Sequence, residues 1–406
     1  MRVLNSGCDS KATPFPLGHG ESAALGRSRL TITQLQLANF RSYPSAEIAV
    51  SGGPVVLAGA NGAGKTNLLE AISLLVPGRG MRGAALSEHT RKGPAPVGPL
   101  WAVSAVVQRG GESHDIGTGL EASGSSTARH VRLNGGPAQN SADLSDLIQM
   151  AWLTPAMDRL FIESASGRRR FLDRLTLGFA PNHARHSLRY EQAMRERARL
   201  LKQGPRDPAW LSGLEEQMAE HGLAIMAARN DAVARLNDAL AERREAGAFP
   251  SAQLSLDGNA DRLLAERIEN SANVFREALE RCRVRDAESG RTGFGPHVTD
   301  VLARHTLKRM EARECSTGEQ KALLISIVLA QARQLSHIRE GFAPILLLDE
   351  IVAHLDATRR AGLFEEILAL GAQAWMTGTE LSMFAPLSGH GDVFEVAESR
   401  LSRISG

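Results

Sequence analysis

The chain is poor in cysteine. Cys8, Cys282 and Cys315 are far apart in 406 residues, and no C-x-x-C pair occurs. That pattern argues against a disulfide framework and a zinc ribbon, and it fits a reducing, cytoplasmic compartment. Aromatic residues make up only 4%. Wide stacking platforms for single-stranded bases are therefore not expected. Long apolar runs are missing too. The best stretch, Ala322 to Ala330, is broken by Ser326, and a membrane span needs about 20 residues. No membrane association is expected. The first 28 residues lack the apolar core of a secretion signal and are rich in Gly, Ser and Pro. They read as a poorly ordered extension, or as a start placed too early. Net charge is +2, so bulk charge selects no partner; its distribution carries more.

What remains is a globular composition, 43% hydrophobic and 23% charged, long enough for two or three domains. Residues 30–50 alternate apolar and polar side chains and predict two strands with a turn near Pro44. Pro54 to Ala58 predicts a short buried strand, followed by a glycine-rich loop and a helix from Lys65 to about Leu75. Short strand-like runs fill 100–140, with Asn134-Gly135 as a hairpin signal. Residues 183–246 change texture to Arg, Glu, Ala and Leu at helical spacing. Leu211, Leu214, Met218, Ile225, Leu236 and Leu240 form one stripe, which predicts long helices packed as a hairpin. After a loop near 291–300, α/β texture returns. The expected layout is an extension (1–28), an ATPase domain in two parts (29–156 and 296–406), and a helical domain (157–295) inserted between them.

The chemistry concentrates in three motifs. Residues 59–66 read GANGAGKT, a full G-x-x-x-x-G-K-T placed between a predicted strand and helix. Gly59, Gly62 and Gly64 permit a tight turn, so the N–H groups of Gly59, Ala60, Asn61, Gly62, Ala63 and Gly64 converge on phosphate oxygens. Lys65 meets the β and γ phosphates at a helix N-terminus, and the Thr66 hydroxyl suits Mg²⁺. This predicts a nucleotide-binding site. Near the other end, Pro344 to Glu350 is an apolar strand ending in two acids. Asp349 suits the Mg²⁺ shell, and Glu350 is placed to orient or deprotonate an attacking water. The bland alternative for both acids is an exposed strand end. Third, Cys315-Ser316-Thr317-Gly318-Glu319-Gln320 precedes a helical run, with Ser316 as its cap.

In this order the motifs resemble an ABC-type ATPase head. CSTGEQ resembles that family's signature, and Ala353 to Asp356 resembles its D-loop. The resemblance implies that two heads face each other. Ser316, Gly318, Glu319 and Gln320 of one copy, with Asp356 alongside, would then contact the nucleotide of the other. The match narrows further. NFRSY at 39–43, the run from Gly59 to Arg82, WLTPAMDRLF at 152–161 and RRRFLD at 168–173 resemble the RecF family of the SMC-like branch. That implies an α/β fold, an ABC/SMC-type P-loop ATPase head with an inserted, mainly helical domain. It implies binding of ATP and Mg²⁺, ATP-driven homodimerisation, and weak DNA-dependent hydrolysis. It further implies clamping on gapped or junction DNA, double- and single-stranded. The function implied is recombinational repair, replication restart, recombinase loading with RecO and RecR, and SOS induction. Two points stand out. The last strand ends Met376-Thr377-Gly378-Thr379 without the switch histidine of transporter cassettes, leaving the γ-phosphate sensor unassigned. Gln149 is a nearby candidate for the Q-loop glutamine.

Between 158 and 206 twelve basic residues face five acids. Arg189, Arg195, Arg199 and Lys202 are the candidate DNA contacts, with Arg206 at the end of the run. The competing reading is a solvated helix face with i,i+4 pairs such as Glu191 with Arg195, while Arg168 to Arg170 brace a domain junction. No base-reading motif appears, so backbone recognition is expected. Three other functions fit the sequence less well. A transporter ATPase subunit usually carries the switch histidine and needs a membrane partner. A long SMC tether needs more than a helix of about 50 Å. A nuclease-fused ATPase needs an acid-rich metal domain beyond Asp356.

Overall fold

The computed structural model describes residues 29–93, 100–123, 126–138, 141–204, 208–242, 247–265 and 270–404. The expected extension (1–28) and Arg206 lie outside the described residues. Strand β1 (Leu30–Phe40) alternates buried Leu35 and Leu37 with exposed Gln34 and Gln36. It pairs with β2 (Tyr43–Ala49), Phe40 opposite Tyr43, so the turn is Arg41–Ser42 rather than Pro44. Pro44 is tolerated inside β2 because that strand is a sheet edge. Strand β3 (Val55–Ala58) is wholly buried and leads through the glycine loop into α1 (Lys65–Ser73). Four further strands follow: β4 (Trp101–Arg109), β5 (Glu112–Ser123), β6 (Ser126–Leu133) and β7 (Gly136–Pro137). They extend an antiparallel sheet in the order β2-β1-β4-β5-β6-β7. Asn134 and Gly135, at φ of 51° and 82°, make the turn into β7.

After α2 (Ser141–Leu147), β8 (Met150–Leu153) enters a second sheet. The chain then runs through α3 (Ala165–Phe179), α4 (His183–Gln203) and α5 (Pro208–Ala241). Next come β9 (Ala252–Asp257), α6 (Asn259–Ala265), α7 (Ser271–Ser289), β10 (Asp300–His305) and β11 (Met310–Glu311). The last third holds α8 (Thr317–Ile338), β12 (Ile345–Leu348), α9 (Ala357–Leu370), β13 (Ala374–Gly378), β14 (Asp392–Ala397) and β15 (Arg400–Arg403). The second sheet has the order β15-β14-β3-β13-β12-β8. Its strands are parallel except at the β15 edge. Strands from both ends of the chain therefore share one sheet. Their continuous apolar runs follow from burial on both faces.

One apolar core lies where α1 meets both six-stranded sheets, with Leu68, Leu69 and Ile72 against Leu35, Leu57, Trp101 and Trp375. A second gathers α8, α3 and the C-terminal half of α5. Helix α8 is buried on nearly every side, so its apolar run is core. Among the described residues no helix is long and apolar enough to cross a membrane. The predicted hairpin is α4 on α5, covered by α7 around Tyr190, Met218, Ile225, Phe275 and Phe294. All six predicted stripe residues are buried. The three-stranded sheet β11-β10-β9 beside it was not anticipated.

Candidate active site

The loop after β3 is shaped by what surrounds it. A Cβ at Gly59 would fall 2.1 Å from the Val396 carbonyl oxygen. Gly64 sits at φ +111°, where a Cβ would also lie 2.9 Å from the Tyr43 hydroxyl. Only glycine fits either place. No side chain caps the N-terminus of α1, so its first N–H groups point into the loop. Lys65 is 3% exposed and curls back, its Nζ donating to the carbonyls of Gly59 (2.6 Å) and Ala60 (2.9 Å). Burial pushes the Lys65 ammonium below its usual pKa, while Glu350 and Asp349 pull it back up. A desolvated cation tethered by carbonyls favours phosphate oxygens.

Both acids follow β12, which β13 separates from β3 in the sheet. Leu348 lies beside Leu153 in register, and the Asp349 N–H donates to the Leu153 carbonyl (2.9 Å). The Thr66 hydroxyl donates to Asp349 Oδ1 at 2.8 Å. Two hard oxygens thus converge beside the loop, which fits a small divalent cation such as Mg²⁺. Asp349 is 4% exposed, and burial raises its carboxyl pKa against the pull of hydrogen bonds from Thr377 and Thr66. Glu350 takes a left-handed backbone, φ 51° and ψ 24°. Together with Thr66 and Asp349 it lines a cleft walled by residues 77–83, Trp152, Thr154, Arg170 and Arg174.

Several of these wall residues were missed. Thr154, at the end of β8, occupies the place beside the acids. Gln149 precedes β8 and sits at the strand's opposite end. Arg82 pairs with Glu70, as does Arg41 of the NFRSY segment. Thr377 reaches both acids. In the sequence, that segment drew notice only for its lack of histidine.

The signature segment lies elsewhere on the chain: Ser316, Gly318 and Glu319 do not line the cleft. Ser316 caps α8 in a full capping box. Its N–H and hydroxyl donate to Glu319 Oε2 (3.1 and 3.0 Å), and its oxygen accepts from the Glu319 N–H. The Lys308 ammonium binds the other carboxylate oxygen and, with the Ser316 bonds, holds Glu319 down at about 2. Gln320 points inward and donates to the Cys315 carbonyl (2.9 Å). Asp356 caps α9, and Arg359 of that helix reaches the Gly318 carbonyl (3.4 Å).

The basic segment divides. Arg168 pairs with Asp300 through two bonds (2.9 and 2.7 Å), and Arg174 lies over the rings of Trp152 and Phe171. Arg197 is wholly buried between Glu215 and Asp286. These arginines hold the fold. Arg189, Arg195, Arg199 and Lys202 are exposed on α4. The last three share a face by spacing, although Arg195 and Arg199 also pair with Glu191 and Glu196.

The family model described as the RecF/RecN/SMC N terminal domain matches residues 31–397. A DNA replication and repair protein RecF from Rhizobium etli (strain CIAT 652) is 47% identical over 373 residues, 92% of this chain and 99% of the relative. The chain belongs to the RecF family. A RecF from Agrobacterium fabrum (strain C58 / ATCC 33970) is 46% identical, again over 92% of this chain and 99% of its own length. Among solved structures, the recombination mediator protein RecF with ATP, in the RecFOR pathway, superposes with a TM-score of 0.80. Identity there is 22%, covering 93% of this chain and 98% of that one. An Smc head from Pyrococcus furiosus, bound to part of ScpA, gives 0.51 at 17% identity, covering 93% and 96%. The fold is thus the ABC/SMC head that the RecF family shares.

Proposed function

We propose that this protein is an ATP-gated DNA-binding switch of recombinational repair and replication restart. The supporting observation is the Thr66–Asp349 hydrogen bond beside the carbonyl-tethered Lys65. It joins the phosphate loop to the acidic strand end, the pairing that phosphoryl transfer needs. Relatives bearing the RecF name and a RecF structure with ATP support the same reading. The loop from Gly59 to Thr66 binds the triphosphate, with Lys65 releasing its carbonyls to meet it. Thr66 and Asp349 hold Mg²⁺, which when bound neutralises developing phosphate charge. Glu350 orients or deprotonates water. Ser316, Gly318 and Glu319 reach the nucleotide of a second copy, with Asp356 beside them and Gln320 bracing the segment from within. The ATPase part is 29–156 with 296–406, and the helical insertion is 157–295.

Hydrolysis is slow and DNA-dependent, and it releases the dimer. The ATP-bound dimer clamps on gapped or junction DNA, with Arg195, Arg199, Lys202 and Arg189 meeting backbone phosphates. In the cytoplasm it promotes recombinase loading with RecR and RecO, and SOS induction. Light scattering with and without Mg-ATP tests the two-copy core of this reading. Glu350→Gln accumulates an ATP-bound dimer. Ser316→Arg binds ATP yet stays monomeric. Lys65→Arg hydrolyses at least tenfold more slowly, because a planar guanidinium cannot take the ammonium's place. A Glu350→Gln protein that stays monomeric with ATP, or a dimeric Ser316→Arg protein, contradicts the model.

A further inference from the structure

We propose that Thr377 is the positioning residue for both acids at the end of β12. The inference rests on the ATPase reading above, and no motif of the phosphate loop, signature or D-loop includes this residue. Its side chain is wholly buried among apolar neighbours on β13, with Trp375 and Met376 at 0% exposure. A valine would fill that space without the cost of burying a hydroxyl. The hydroxyl is accounted for by its two partners. It donates to Asp349 Oδ1 at 2.8 Å and accepts from the Glu350 N–H at 2.8 Å. One hydroxyl can serve both at once.

Each bond does something different. The bond to the Glu350 N–H fixes the backbone of a residue held at φ 51°, a conformation that L residues seldom adopt. Without that acceptor, Glu350 is freer to relax toward ordinary φ and to carry its carboxylate out of line. The bond to Asp349 shares Oδ1 with Thr66. Thr66 would also ligate the metal on the reading above, in competition with its bond to Asp349. Thr377 has no such second role, and so holds the carboxylate throughout the cycle. The same strand end also anchors the phosphate loop, since the Gly59 N–H donates to the Gly378 carbonyl at 3.2 Å. The end of β13 thus sets loop and acids in one frame.

The test compares Thr377→Val with Thr377→Ser in the full chain. The first readout is hydrogen exchange of the Glu350 amide in nucleotide-free protein. The second is the ATP dissociation constant set against kcat. For Thr377→Val, exchange at Glu350 accelerates at least tenfold, kcat falls at least tenfold, and ATP affinity stays within twofold. Thr377→Ser matches the parent on all three. Should the valine protein not fold, Thr377→Ala takes its place with the same expected results. Parental amide protection or parental kcat without the hydroxyl overturns the proposal, as does equal loss in the serine variant. A parent that binds no ATP removes the ATPase reading instead, and amide protection alone then judges Thr377.

Discussion

At the scale of single residues, buried charge is the informative feature. Asp349 is desolvated, and its folded pKa is raised. A carboxylate raised above its unfolded value stabilises the fold only at low pH and loses that contribution as pH rises through the shifted range. At neutral pH its charge is a burden on the nucleotide-free protein. Asp349→Asn keeps an acceptor for Thr66 and Thr377, and is expected to raise the melting temperature by about 2 °C or more while abolishing hydrolysis. A lower melting temperature by calorimetry contradicts this. His89 works the other way. It is wholly buried against Phe40 and Trp101, and burial depresses its pKa despite the pull of Glu70. A histidine depressed below its unfolded value near 6.5 contributes fully above that pH and loses the contribution as pH falls below it. Urea midpoints are therefore expected to drop from pH 7 to pH 5, and His89→Phe to flatten part of that slope. An unchanged slope in the variant rules His89 out as a source.

At the scale of elements, the helical hairpin depends on a buried ionic knot. Arg197 binds Glu215 (2.9 Å) and Asp286 (2.7 Å), tying α4 to α5 and α7. Arg197→Met leaves two buried carboxylates short of a partner, and is expected to cost about 3–5 kcal/mol in urea unfolding followed by helical signal. A cost near zero would mean that the carboxylates find water or Arg283. Elements were also where the sequence was most legible. The β3–loop–α1 unit, the apolar strand β12 and the α4–α5 hairpin follow directly from glycine spacing and apolar periodicity. The Ser316 cap was equally plain. Other features stayed hidden for physical reasons. The turn at Arg41–Ser42 contains no glycine or proline, whereas Pro44, two residues past it, carries the ordinary turn signal. Strand β9 sits within a helix-rich region, and its alternation of Ala252 and Leu254 is too short to stand out. Thr377 belongs to no motif and Thr154 only to a run of family likeness, because their place beside the acids comes from register across parallel strands. Arg197 is one of twelve basic residues in its run and carries no mark of burial, because Glu215 and Asp286, which enclose it, are far away in sequence.

At the scale of the whole molecule, two surfaces lie apart: the cleft around Thr66, Asp349 and Glu350, and the separate patch around Ser316, Glu319 and Asp356. A single copy holds both but does not bring them to one place. The ATP-gated reading explains that separation through a second copy, and it makes DNA affinity depend on nucleotide. On the same reading, contacts from Arg195, Arg199 and Lys202 to phosphates would make it depend on salt as well. Replacing those three with glutamine is expected to weaken binding at least tenfold and to flatten the salt slope, leaving ATP binding intact. Unchanged affinity moves the DNA surface elsewhere. The most direct test is fluorescence anisotropy of the parent protein on a gapped duplex, with and without Mg-ATP, across salt concentrations. The account predicts binding at least tenfold tighter with Mg-ATP, falling steeply as salt rises. Equal affinity with and without nucleotide, or no DNA binding in either state, would contradict it.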